Sequence, residues 1–84
     1  MRYQVRLRPK AEKHLSKLPK PYQDRIKLAL VKLETDPYMG KRLLGEYKDQ
    51  YSFRVWPYRL VYQVYKTILY VVVIDIEHRQ NIYK

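Results

Sequence analysis

The chain has 84 residues, no cysteine and only two glycines, a length that builds one small domain with roughly 40% of its unfolded-chain surface still exposed after folding. That excludes a large enclosed active site, and the missing thiols exclude a disulfide framework and a thiolate zinc site. Eighteen Lys and Arg against eight Asp and Glu give a net charge of +10, a field suited to a polyanion or an acidic protein partner.

Residues 1–84 read as a single domain without repeats or linkers. Tyr3, Val5 and Leu7 alternate with Arg2, Gln4, Arg6 and Arg8, the pattern of a half-buried strand. Pro9 suits the first turn of a helix whose apolar face carries Ala11, Leu15 and Leu18 and whose opposite face carries Lys10, Lys13 and Lys17. Leu18-Pro19-Lys20-Pro21 breaks it. A second helix begins near Pro21 or Tyr22, with Tyr22, Ile26, Ala29, Leu30 and Leu33 as its stripe, and stops at Asp36-Pro37.

Beyond Lys41 the period falls from 3.6 to 2. Leu43-Leu44-Gly45 predicts a short strand, and Tyr51–Val55, Tyr58–Tyr65 and Ile68–Ile76 predict three more in an antiparallel meander. The last is apolar on both parities, as a central strand covered on both sides would be. The predicted fold is α+β: an N-terminal strand, a helical hairpin, then a twisted antiparallel sheet, about four strands in all, with the helices on one face. The apolar run Leu69–Ile74 is too short to span a bilayer and the N-terminus lacks a signal-peptide core, so the chain reads as cytoplasmic.

A two-residue loop at Trp56-Pro57 places Arg54 opposite Arg59, Phe53 opposite Leu60 and Tyr51 opposite Tyr62. One face then carries Tyr51, Phe53, Val55, Tyr58, Leu60 and Tyr62 as core. The other carries Ser52, Arg54, Arg59, Val61 and Gln63. Two opposed arginines repel, and guanidinium forks suit a phosphate, so the pair predicts an anion site; the bland alternative is that each arginine pairs with Glu46, Asp49 or Glu77. His78, with an ordinary pKa of about 6.5, is a candidate for proton transfer, whereas His14 reads as a surface residue. Tyr83 is a candidate for stacking or for anchoring the tail. The carboxylates show no metal-ligand spacing, and neither serine nor glycine placement supports a nucleophile elbow or a phosphate loop. No metal or cofactor is expected.

The strand–helical hairpin order, with Leu44-Gly45, Tyr51-Ser52-Phe53-Arg54-Val55, Tyr58-Arg59-Leu60-Val61-Tyr62-Gln63-Val64 and His78-Arg79-Gln80-Asn81-Ile82-Tyr83, resembles the RelE/ParE toxin superfamily of type II toxin–antitoxin modules over essentially the whole chain. The RelE branch implies a metal-free, ribosome-dependent endoribonuclease that cuts mRNA in the A site by attack of a 2′-hydroxyl on the adjacent phosphate. By position, the resemblance implies that Arg54 and Arg59 contact the scissile phosphate, Arg79 stabilises the charge developing there or assists the leaving oxygen, and Tyr83 orients or stacks on the substrate. It also implies RNA contacts at Lys41, Arg42, Lys48 and Ser52 and along Lys10, Lys13 and Lys17.

Ser52 stands where many ribosome-dependent members carry a lysine, and Arg54 replaces another. Lys48 and His78 are then the alternative general bases. The resemblance further implies a cognate antitoxin, the ribosome and mRNA as partners. The ParE branch implies a different class, a DNA gyrase inhibitor without nuclease activity, and a catalytically weak RNA-binding relative is a third reading.

Overall fold

The computed structural model describes residues 2–43 and 50–78. In chain order it comprises β1 (Gln4–Leu7), α1 (Pro9–Ser16), α2 (Lys20–Thr35), β2 (Lys41–Arg42), β3 (Gln50–Val55), β4 (Tyr58–Tyr65) and β5 (Tyr70–His78). Proline sits in the first turn of both helices, where its missing N–H costs nothing. The Gln23 side-chain amide donates to the carbonyls of Leu18 (2.9 Å) and Ser16 (3.3 Å), closing the hairpin turn.

The strands form one sheet in the order β1-β5-β4-β3-β2. The α+β class holds, with two corrections. The sheet has five strands rather than about four, and it is mixed: β1 pairs parallel to β5, with Val5 beside Val71 and Leu7 beside Val73. The helical hairpin carries the chain away from β1, and the apolar β5, which needs a neighbour on each edge, takes β1 on one side and β4 on the other. The predicted strand at Leu43-Leu44-Gly45 is replaced by Lys41–Arg42, which pair with Ser52 and Tyr51; Leu44 and Gly45 lie outside the described residues.

The β3–β4 hairpin has the expected register, Arg54 opposite Arg59, Phe53 opposite Leu60 and Tyr51 opposite Tyr62. Strand β5 starts at Tyr70 rather than Ile68, because a four-residue turn over 66–69 ends on Leu69 in the left-handed region (φ 57°), leaving Ile68 exposed. Between β4 and β5 the register shifts by one at Val61/Tyr62, where Val61 faces Asp75 and Tyr62 faces Val73. This bulge changes which parity of β5 points at the helices. Val71 and Val73 are buried before it, and Ile76 after it, so the strand keeps an apolar core face along its length. Asp75, at the bulge, accepts from the backbone N–H of Ile76 (2.8 Å) and reaches α1 instead of joining the alternation.

The core lies between the helices and one sheet face. Ile26 and Leu33 of α2, Ala11 of α1, and Leu60, Tyr62, Val71 and Val73 of the sheet are fully buried. Phe53, Val55, Tyr51 and Tyr58 pack against them half-buried, as the face assignment requires.

Tyr62 is the one fully buried tyrosine among the described residues, and its hydroxyl donates to the Pro37 carbonyl (2.8 Å) and accepts from the Gly40 N–H (3.1 Å). Both partners belong to the turn between α2 and β2. A Cβ on Gly40 would stand 2.5 Å from that hydroxyl and 2.8 Å from the Ser52 carbonyl oxygen, so the turn closes only with glycine there. Burial is the main cause that pushes the Tyr62 phenol up to about 12, with Coulombic contributions from Tyr51 and Asp36 in the same direction and the Gly40 hydrogen bond opposing.

Leu60→Ala should cost about 2–5 kcal/mol of unfolding free energy in urea titrations, and Phe53→Ala, half-buried, clearly less. Tyr62→Phe should cost about 1–3 kcal/mol by stranding the Gly40 donor and the Pro37 acceptor. Because the phenol's pKa is raised in the folded state, its contribution to stability should be complete below about pH 10 and vanish as pH rises through about 12. A spectrophotometric titration should find one tyrosine ionising late, and Tyr62→Phe should remove that step.

Candidate phosphate site on the arginine face of the sheet

The core side of the β3–β4 hairpin being occupied, its remaining side chains project from the other face of the sheet. Directly opposed there are Arg54, exposed, and Arg59, half-buried. Like charges in that position destabilise by about 0.2–1 kcal/mol. Neither guanidinium forms an ion pair with a described carboxylate, although Glu77 is the β5 neighbour of Arg59. Among the described residues the bland alternative, neutralisation by Glu77, is therefore not realised; Glu46 and Asp49 lie outside them.

The pair borders a cleft of ≈ 240 Å³ lined by Met39, Gly40, Lys41, Ser52, Phe53, Arg54 and Arg59. Three described cations and no described carboxylate line it. Lys41 is the cross-strand partner of Ser52, so its ammonium stem rises from the backbone position beside that small, largely buried side chain. The cleft wall at 39–41 is the turn tied down by Tyr62. A positively charged depression with two forked donors matches the charge and geometry of a tetrahedral anion.

The other sequence-predicted residues divide among three places. Lys48, Arg79 and Tyr83 lie outside the described residues. Arg42, next to Lys41 in β2, lines a separate pocket with Tyr38, Tyr51 and Tyr65. His78 pairs with Tyr58 on the helix side of the sheet, their rings edge to face at 5.2 Å, and lines a third cleft with Lys10, Lys17 and His14. The structure thus brings Arg54, Arg59, Lys41 and Ser52 together and does not bring His78, Lys10, Lys17 or Arg42 into their cleft. Lys13, on α1, lines none of these clefts.

His14 is not a bystander on the surface. Its Nδ1 donates to Asp75 Oδ1 at 2.8 Å, and Lys10 Nζ lies 3.3 Å from Oδ2, so the largely buried carboxylate at the bulge is met by two groups of α1. Lys10, expected as an RNA contact, is engaged in this staple between α1 and β5. No sequence pattern marks the staple, because its members are 61 residues apart and a bulge, invisible in the alternation, turns Asp75 toward the helix.

The chain matches the sequence model of the ParE toxin of type II toxin–antitoxin systems over residues 5–83. It is similar in structure to the toxin–antitoxin complex RelBE2 from Mycobacterium tuberculosis, at 31% identity and a TM-score of 0.84, covering 94% of this chain and 100% of that one. It is also similar to the archaeal RelE–RelB complex from Pyrococcus horikoshii (26% identity, TM-score 0.83, 94% and 97% covered). A third similarity is to the isolated RelE toxin of E. coli (29% identity, TM-score 0.81, 90% and 83% covered). No curated protein matches the sequence significantly. A match of this extent, carried on a fold shared with RelE toxins, places the chain in the ParE toxin family of type II toxin–antitoxin systems, as a toxin of that class.

Proposed function

We propose that this toxin is a ribosome-dependent endoribonuclease and that Arg54, Arg59 and Lys41 hold the scissile phosphate of mRNA. The observation that carries this reading is the opposed arginine pair, a costly arrangement with no described carboxylate to relieve it, opening on a cleft whose third cation is Lys41. In the reaction the 2′-hydroxyl oxygen bonds to the adjacent phosphorus and the bond to the 5′ oxygen breaks. One proton leaves the 2′-hydroxyl and one is delivered to the departing 5′ oxygen, giving a 2′,3′-cyclic phosphate and a free 5′-hydroxyl. Negative charge accumulates on the phosphoryl oxygens during this exchange, and fixed cations stabilise it most where water is displaced. Arg54 and Arg59 act as forks on those oxygens. Lys41 supplies, from the neighbouring strand, an ammonium at the position that Ser52 leaves without one. Arg79 and Tyr83, on the segment after β5, complete the site in this reading.

The toxin class also supports a cognate antitoxin as partner, since the similar structures from Mycobacterium tuberculosis and Pyrococcus horikoshii are toxin–antitoxin complexes. With a net charge of +10 on the toxin, that partner is acidic.

A second reading, gyrase inhibition without nuclease chemistry, is favoured by the match to the ParE toxin.

Purified protein added to a translating cell-free reaction should create codon-phased 5′ ends on a defined mRNA only when ribosomes are present. Arg59→Ala should lower the rate about 10²–10³-fold with an unchanged circular dichroism spectrum. Lys41→Ala should lower it less and Lys41→Arg should recover most of the loss, as a purely electrostatic role requires. Intact mRNA together with inhibited supercoiling would establish the gyrase reading instead.

A further inference from the structure

The turn that walls the arginine cleft has a second side. Met39, Gly40 and Lys41 line the cleft, whereas Tyr38 and Arg42 line a separate pocket of ≈ 380 Å³ with Tyr51, Val64, Tyr65, Lys66 and Thr67. Among its described lining residues three are tyrosines, Arg42 and Lys66 are exposed, and none is acidic. Tyr38 is 45% exposed, much for so large a ring, yet its place is fixed. Its ring meets Tyr51 edge to face at 5.5 Å, and Tyr51 stacks on Tyr62 at 5.7 Å with the planes 16° apart. The Tyr62 hydroxyl binds residues 37 and 40, on either side of Tyr38 in sequence. An exposed aromatic ring on a turn clamped at both ends is a pre-formed surface, whose use in binding costs little ordering entropy.

Aromatic walls beside two cations suit a ligand with a flat π-face and negative charge. A cationic ligand would meet Arg42 and Lys66 with no carboxylate among the described lining residues to compensate, and an uncharged aromatic ligand would leave both cations unused. A nucleotide uses both features, the base stacking on a ring and the phosphate meeting a cation. Lys41 and Arg42 are consecutive residues of β2, so their side chains leave on opposite faces of the sheet edge, one toward each site. A single strand passing over this edge meets a cation on both sides. We propose that the Tyr38–Tyr51–Tyr65 pocket is a base-stacking subsite for single-stranded RNA, continuous across β2 with the Arg54–Arg59 phosphate site. The subsite rests on the reading of the toxin as an RNA-binding protein, and it adds a contact to a nucleotide other than those flanking the cut.

The test is photocross-linking of the full-length toxin to a single-stranded oligoribonucleotide containing 5-iodouridine, with the attached peptides mapped by mass spectrometry, alongside binding measured by fluorescence anisotropy. The expected result is cross-linking to Tyr38 or Tyr65. The paired change Tyr38→Leu with Tyr65→Leu should weaken binding about 10-fold or more, and Tyr38→Phe should bind as the unaltered protein because the ring is what stacks. Arg42→Glu, at an exposed position that cannot unfold the core, should also weaken binding and do so less at high salt.

Arg59→Ala should keep the tyrosine cross-link while losing cleavage, which separates the subsite from the catalytic reading. If the tyrosine cross-link persists in a protein that never cuts mRNA, the subsite stands and the nuclease reading falls. Unchanged affinity in the double leucine variant, with cross-links elsewhere and cleavage intact, overturns the subsite alone. Absence of RNA binding, with an acidic antitoxin peptide shielding Tyr38 and Tyr65 from chemical iodination, overturns it in favour of a protein contact.

Discussion

The buried phenol of Tyr62 organises the β2 edge of the sheet. Tyr62 sits at the centre of the sheet's core face, and its hydroxyl holds the Pro37 carbonyl and the Gly40 amide at once. Those bonds add to the short β2–β3 pairing, which alone ties only two residues of β2 to the sheet. With them, the turn is pressed so close that Gly40 has no room for a Cβ. Its two sides become the wall of the arginine cleft and the wall of the tyrosine pocket. The desolvation that lifts the phenol to about 12 is the electrostatic trace of the same burial.

The opposed arginines show how a small domain tolerates an unfavourable surface. Their cross-strand repulsion is a fraction of a kcal/mol to about one, whereas the residues behind them, Leu60 and Tyr62 among them, bury completely against the helices. Each fully buried aliphatic or aromatic side chain contributes about 1.5–3 kcal/mol, so the hairpin keeps its register and its charges stay where the ladder puts them. A second device acts at the far side of the sheet. The β-bulge lets β5 turn Ile76 into the core while Asp75 reaches out to His14 and Lys10, fastening α1 to the strand.

Local patterns revealed more than pairings across long separations did. The helical hairpin followed from prolines and apolar spacing, and the Trp56-Pro57 loop alone located Arg54 opposite Arg59. By contrast, parallel pairing of β1 with β5 joins residues 66 apart, such as Gln4 and Tyr70, and no alternation distinguishes it from an antiparallel neighbour. Ile68 extends the apolar run and looks like core, yet the left-handed Leu69 places it in a turn and β5 starts two residues later. His14 looked solvated because the carboxylate it serves lies in a strand whose parity a bulge has altered. The described lining of the tyrosine pocket comes from four separate stretches of chain, which no local pattern joins.

The central claim is that Arg54 and Arg59, set beside a turn held by Tyr62, grip the phosphate of an RNA strand. NMR of the arginine Nε–H groups during titration with a 2′-O-methyl oligoribonucleotide tests it most directly, since that strand binds but lacks the attacking hydroxyl. The expected result is that the Arg54 and Arg59 signals move together, at one affinity, with the Gly40 amide following them. Shifts confined to the lysines of α1 and to His78, with the two arginines unmoved, would contradict it.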